Sequence, residues 1–188
     1  QEVEARWRLV ETAWELNVSA SLINVAYDST GELLYVPEGK LRRIDVTSAK
    51  DALNGYQKGK CFYCFDDISI ERKAPNLGDV DHFFPHLLTS HAVIDNLDGV
   101  WNLVLACKSC NRGEKGKFDR IPKLEYLTRL NTRNNFLISS HHPLRETLIL
   151  QTGESDAQRG KFLNRCFNEA KSLLVQTWES SNENPPAF

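Results

Sequence analysis

The chain has no methionine, not even at its first position. On that ground we expect a processed form or a piece of a longer protein. It also lacks any apolar run near the roughly 20 residues that a membrane span requires. The opening segment EVEARWRLVETAWEL is charged and amphipathic and has no apolar stretch of the kind a signal peptide carries. These absences predict a cytoplasmic protein with no membrane partner. A net charge of −2 gives no overall basic field that would mark a nucleic-acid binder. The cysteine count, five, is odd, and without a secretory signal it argues against a disulfide framework.

What is present is an ordinary globular composition, 41% hydrophobic and 26% charged over 188 residues. That is enough chain for one sizeable core or two small ones. The charge is unevenly placed. Residues 107–133 carry eight basic side chains, Lys108, Arg112, Lys115, Lys117, Arg120, Lys123, Arg129 and Arg133, against Glu114, Asp119 and Glu125. A local basic patch on a mildly acidic body suits a polyanion-binding face, and equally a solvated helix surface.

Four of the cysteines form two C-x-x-C pairs, Cys61–Cys64 and Cys107–Cys110, separated by 42 residues. Four thiolates at that local spacing suit a tetrahedral Zn²⁺, and a site closed by four protein ligands is structural. The fifth, Cys166, lies on an apolar helical stripe and reads as a buried core thiol.

Along the chain, Val3, Trp7, Val10 and Trp14 predict an amphipathic helix over residues 2–17. Residues 31–46 read as two short strands around the turn former PEGK, and Thr47 as the cap of a short helix ending near Gly55. Asp79–Phe84 reads as a strand stopped by Pro85, residues 86–99 as a loop, and Val100–Cys107 as a second strand. Two glycines after Asn111 limit any helix there to a short one. Pro122 suits the first turn of a further helix, the stretch LRETLILQTG is undecided between helix and strand, and residues 156–178 form the clearest helix, with Ser155 and Gln158 at capping-box spacing. The tail from residue 181 reads as unstructured. The segments are therefore 1–57, a helical and strand flank; 58–120, a zinc-bearing centre; 121–180, a helical flank; and 181–188, a tail.

Inside the centre lies GDVDHFFPH, which sets Asp81 beside His82. Neighbours on a strand point to opposite faces, so each group needs its own partner. VDHFFP, then WNLVLACKSCN, then a lysine-rich turn resembles the HNH endonuclease family in its zinc-bearing ββα-metal form, over about residues 58–120. The resemblance implies an α+β fold in which a small ββα-metal core, stapled by the four-cysteine zinc site, is flanked by mainly helical segments. It implies metal-dependent hydrolysis of phosphodiesters in DNA, with RNA left open. Asp81 and Asn111 would hold one Mg²⁺ or Mn²⁺, His82 would be the general base, and Asn102 would hold the loop or orient His82. Asp79 is a weaker candidate for an additional ligand. Lys108, Arg112, Lys115 and Lys117 would meet nucleic acid, with the choice of phosphate-holding side chain open among the last three. The resemblance further implies work within a larger defence, restriction or mobile-element assembly, or as a homodimer. The competing reading is a non-catalytic zinc module that binds nucleic acid or protein.

Overall fold

The computed structural model describes residues 26–28, 33–35 and 49–188, apart from 93, 143 and 183. The helix expected over 2–17 lies outside them. Strand β1 (Ala26–Asp28) pairs antiparallel with β2 (Leu33–Tyr35), Ala26 opposite Tyr35. Leu33–Tyr35 is a strand as expected and pairs with the segment before it; PEGK and the second expected strand lie outside the described residues. Thr47 lies outside the described residues.

Helix α1 (Lys50–Gln57) runs through Gly55 and ends at Lys58, which takes the left-handed conformation (φ 48°) and returns its N–H to the Asn54 carbonyl at 2.7 Å. Gly55 lies inside the helix at an open position, where an added Cβ would meet nothing within 4 Å. At its last residue the helix sends the Gln57 side chain onto β4 (Leu103–Ala106), where it accepts from the Leu105 N–H and donates to the Leu105 carbonyl, each at 2.8 Å.

Strand β3 (Asp79–His82) pairs antiparallel with β4, Asp79 opposite Ala106 and His82 opposite Leu103. β3 ends two residues earlier than expected because Asn102 takes over the next amides. Its carbonyl accepts the Phe83 N–H at 2.7 Å and its side chain accepts the Phe84 N–H. β4 also starts later than expected, since Val100–Asn102 forms a 3₁₀ turn. The segment between the strands, expected as plain loop, contains a second 3₁₀ helix, His86–His91. The short helix α2 (Lys108–Arg112) follows β4 directly.

Pro122 does not open a helix. It lies in the two-residue strand β5 (Ile121–Pro122), which runs parallel to β6 (Thr177–Trp178). Helix α3 (Leu124–Ser139) follows, then α4 (Arg145–Thr152), which settles LRETLILQTG as a helix. Helix α5 (Asp156–Leu173) starts on the expected capping box, both Ser155–Gln158 bonds being present. It stops short of residue 178 because Trp178 is pulled back to the centre. There its Nε1 donates to the Lys115 carbonyl at 2.7 Å and its ring packs edge-on to Tyr63 and stacked on Tyr126.

The described residues of the tail lack regular secondary structure but are not detached. Asn184 donates to the Cys64 carbonyl at 2.9 Å, and Phe188 packs against Tyr56, Phe62 and Phe65. One apolar core runs from α1 through the cysteine region and the hairpin to α5, including Trp101, Phe83 and Cys166. The fold is thus α+β. Among the described residues no helix is long and apolar enough to cross a membrane.

Candidate metal centre and the adjoining strand site

The two C-x-x-C pairs meet although 42 residues separate them in sequence. The Sγ atoms of Cys61, Cys64, Cys107 and Cys110 all lie within 4.8 Å of one another. Cys64 and Cys107 are 3.7 Å apart. A tetrahedron with Zn–S bonds of about 2.3 Å has sulfur atoms about 3.8 Å apart, so the cluster has the size for a metal such as zinc. Backbone amides already serve the sulfurs: Cys107 N–H donates to Cys61 Sγ at 3.3 Å and Cys110 N–H to Cys107 Sγ at 3.4 Å. Such bonds orient and stabilise thiolate ligands. The cysteines strongly bias one another. Hydrogen bonding with Cys107 pushes Cys64 and Cys110 up, while the bond from Cys110 holds Cys107 down. A divalent cation bound there would let all four ionise together.

The cluster ties the entry to β3, the exit of β4 and the start of α2, because Cys107 is the N-cap of that helix. A two-stranded hairpin cannot hold itself rigid alone. Arg129 of α3 adds a second tie from outside. Its guanidinium donates to the Phe62 carbonyl and, at 3.0 Å, to that of Tyr63, and lies 4.2 Å from the Phe65 ring centre.

On β3 the alternation of the strand separates Asp81 from His82, and their partners differ. Tyr63 donates its hydroxyl to Asp81 Oδ2 at 2.6 Å, and Lys117 Nζ lies 3.3 Å from Oδ1. Burial pushes the Asp81 carboxyl above its ordinary value, against the pull of Lys117 and of the Tyr63 bond. Burial, with the Asp81 charge beside it, lifts the Tyr63 phenol well above its own. His82 Nε2 instead lies 2.7 Å from Asp98 Oδ1, and the ring of His86 stands 5.5 Å away, its Nε2 3.7 Å from the same oxygen.

Asn111, on α2, donates to Asp79 Oδ2 at 3.2 Å, and Arg112 grips the same carboxylate through Nε at 2.8 Å. Asp79 and Asp81, two residues apart, share one strand face. Asn102 makes no bond to His82. It holds backbone on both sides of the hairpin's end: the Phe84 N–H and carbonyl, and the Leu97 carbonyl.

Of the four basic residues expected to face nucleic acid, Lys108, Arg112 and Lys115 are exposed. Lys117 is a correction. It is fully buried, donating to the His82 carbonyl at 2.9 Å and to the Phe118 carbonyl at 3.1 Å, and cannot reach a phosphate in this position. Its ammonium lies under the strand because an adjacent buried carboxylate requires a counter-charge. The residues that sequence reasoning missed are Tyr63 and Asp98. Tyr63 sits inside the first C-x-x-C pair, where the flanking cysteines dominate the pattern. Asp98 sits in NLDG, where an aspartate reads as a turn former. No family model matches the chain, and neither the curated proteins nor the solved structures give a match to it.

Proposed function

We propose that the protein is a metal-dependent endonuclease of the HNH type, whose ββα core is the β3–β4 hairpin with α2, stapled by zinc on the four cysteines. The observation that carries this reading is the adjacent Asp81 and His82 at the end of β3, each with its own partners, on a hairpin joined to Asn111 through the cysteine cluster. Asp81 and Asn111 offer a carboxylate and an amide oxygen, the hard donors that Mg²⁺ or Mn²⁺ prefers. The buried Asp81 carboxylate already attracts one cation, the Lys117 ammonium, so a divalent ion there would take over that role. When bound, such an ion supplies charge neutralisation at the phosphate and at the leaving 3′ oxygen.

The chain's own part is proton transfer and placement. His82 takes a proton from water as the water oxygen attacks phosphorus and the bond from phosphorus to the 3′ oxygen breaks. Imidazole suits that task near neutral pH. The exposed Lys108, Arg112 and Lys115 lie on or just after α2, where they would meet the phosphate backbone. DNA is the proposed substrate, with RNA as the variant to test, and a larger defence or mobile-element assembly as the setting.

One observation favours a second reading, a non-catalytic zinc module that binds nucleic acid or protein. Both carboxylates on the candidate metal face already carry protein cations, Lys117 on Asp81 and Arg112 on Asp79. The deciding assay incubates the protein with supercoiled plasmid in Mg²⁺, Mn²⁺ and EDTA, beside His82→Ala, and repeats it with single-stranded DNA and RNA. Metal-dependent cleavage lost in His82→Ala supports the nuclease. Binding without cleavage of any substrate supports the module.

A further inference from the structure

We infer that Asp98 is the positioning carboxylate of His82, fixing the imidazole so that Nδ1 faces the water it deprotonates. This rests on the nuclease reading above and adds a residue to it. A carboxylate offers only acceptors, so the proton in the 2.7 Å bond is carried by His82 Nε2. In the neutral ring that leaves Nδ1 as the lone-pair nitrogen, and no described residue hydrogen-bonds it. A base held by its far nitrogen keeps both tautomer and ring direction, which is how an orienting carboxylate serves a catalytic imidazole.

The support behind Asp98 separates it from a chance surface carboxylate. Its side chain is 18% exposed, and that of His82 is 6% exposed. The turn that carries it is held at both ends. Asn102 Nδ2 donates to the Leu97 carbonyl at 2.8 Å, and Gly99 N–H donates to the Asn96 carbonyl at 2.9 Å. Trp101 Nε1 donates to the same Asn96 carbonyl at 3.0 Å. Gly99 is required there: a Cβ would lie 2.7 Å from the Trp101 ring and 2.9 Å from the Asn96 carbonyl oxygen. Asn102 thus holds both sides of the pair, the residue before Asp98 and the residue two beyond His82. His86 stands edge-on to the His82 ring, with its Nε2 3.7 Å from the same Asp98 oxygen.

Two measurements test this. ¹⁵N-resolved NMR of the wild-type protein at neutral pH should report His82 as the Nε2–H tautomer, and Asp98→Ala should abolish that signature. In the plasmid assay Asp98→Ala should lower kcat roughly 100-fold with little change in KM, since the general base itself contributes about 10²–10⁴-fold. Asp98→Glu should recover part of the rate. Asp95→Asn, which removes an exposed charge from the same segment, should stay within about twofold of wild type. A wild-type His82 in the Nδ1–H form, or Asp98→Ala cleaving at the wild-type rate, would overturn the inference. Should the wild type cleave nothing, the nuclease reading fails by itself and the tautomer decides whether Asp98 positions His82.

Discussion

Asn102 and Phe84 hold each other twice: the Asn102 carboxamide oxygen accepts the Phe84 N–H at 2.8 Å, and its Nδ2 donates to the Phe84 carbonyl at 3.0 Å. The side chain acts as one more rung of the β3–β4 ladder where the backbone pairing has stopped. Its remaining N–H bond goes to Leu97. Asn102→Ala would leave three buried backbone groups without partners. A loss of about 3 kcal/mol in chemical denaturation is expected. A change below about 1 kcal/mol would show that water replaces the side chain there.

The four-cysteine cluster predicts a split between cysteines. Zinc measured by native mass spectrometry should be one per chain. Cys107→Ser should lose the metal and most of the cooperative unfolding transition, since structural zinc contributes on the order of 10 kcal/mol to folding. Cys166→Ala, set in the α5 core, should keep the metal and cost about 1–2 kcal/mol. Equal behaviour of the two variants would remove the distinction between ligand and core thiol.

Those cysteines were legible in the sequence because metal ligation fixes residue type and local spacing together. The strand bearing Asp81 and His82 was legible for a similar reason, a short β-rich run stopped by proline. The basic patch was not. Of its eight cations, Lys117 and Arg133 are buried, Arg129 is committed to backbone carbonyls and aromatic rings, and Lys123 pairs with Glu179. A sequence gives the charge of a long side chain but not the direction of its stem. Trp178 and Phe188 were missed because their contacts lie far away in sequence, at Tyr63 and Phe62, where no local period can register them.

Lys117 and its neighbours on the chain should therefore respond differently to substitution. Lys117→Met leaves the Asp81 carboxylate buried without its cation, and a loss of about 3–5 kcal/mol is expected. Lys108→Ala and Lys115→Ala should leave stability within about 0.5 kcal/mol. Each should instead reduce the salt dependence of nucleic-acid binding by about one counterion. Denaturation curves and binding titrations at several salt concentrations separate the two effects. A stable Lys117→Met protein would mean that the buried pair contributes nothing.

His142 predicts a pH dependence. Burial pushes its imidazole below the ordinary value, and the Arg133 guanidinium adds to the effect. Its Nδ1 accepts the Leu144 N–H at 3.1 Å just ahead of α4. A base depressed in the folded state favours folding when neutral. Its contribution is present above about pH 6.5 and is lost as the pH falls from there through the folded value. Thermal melts from pH 7.5 to 5 should show the wild type losing stability faster than His142→Asn, which keeps an acceptor and does not titrate. Parallel curves would assign the pH dependence to other groups.

The reach of Gln57 onto Leu105 has a consequence for association between molecules. A two-stranded sheet leaves an open backbone edge on each strand, and an open edge is a template for strand addition from another chain. The carboxamide of Gln57 presents one acceptor and one donor in the order a neighbouring peptide group would, and occupies both backbone groups of Leu105 on the side of β4 away from β3. The Phe62 N–H shares the Leu105 carbonyl at 2.8 Å, so Gln57 and the cysteine loop together end the sheet at two strands and keep that edge buried from a second molecule.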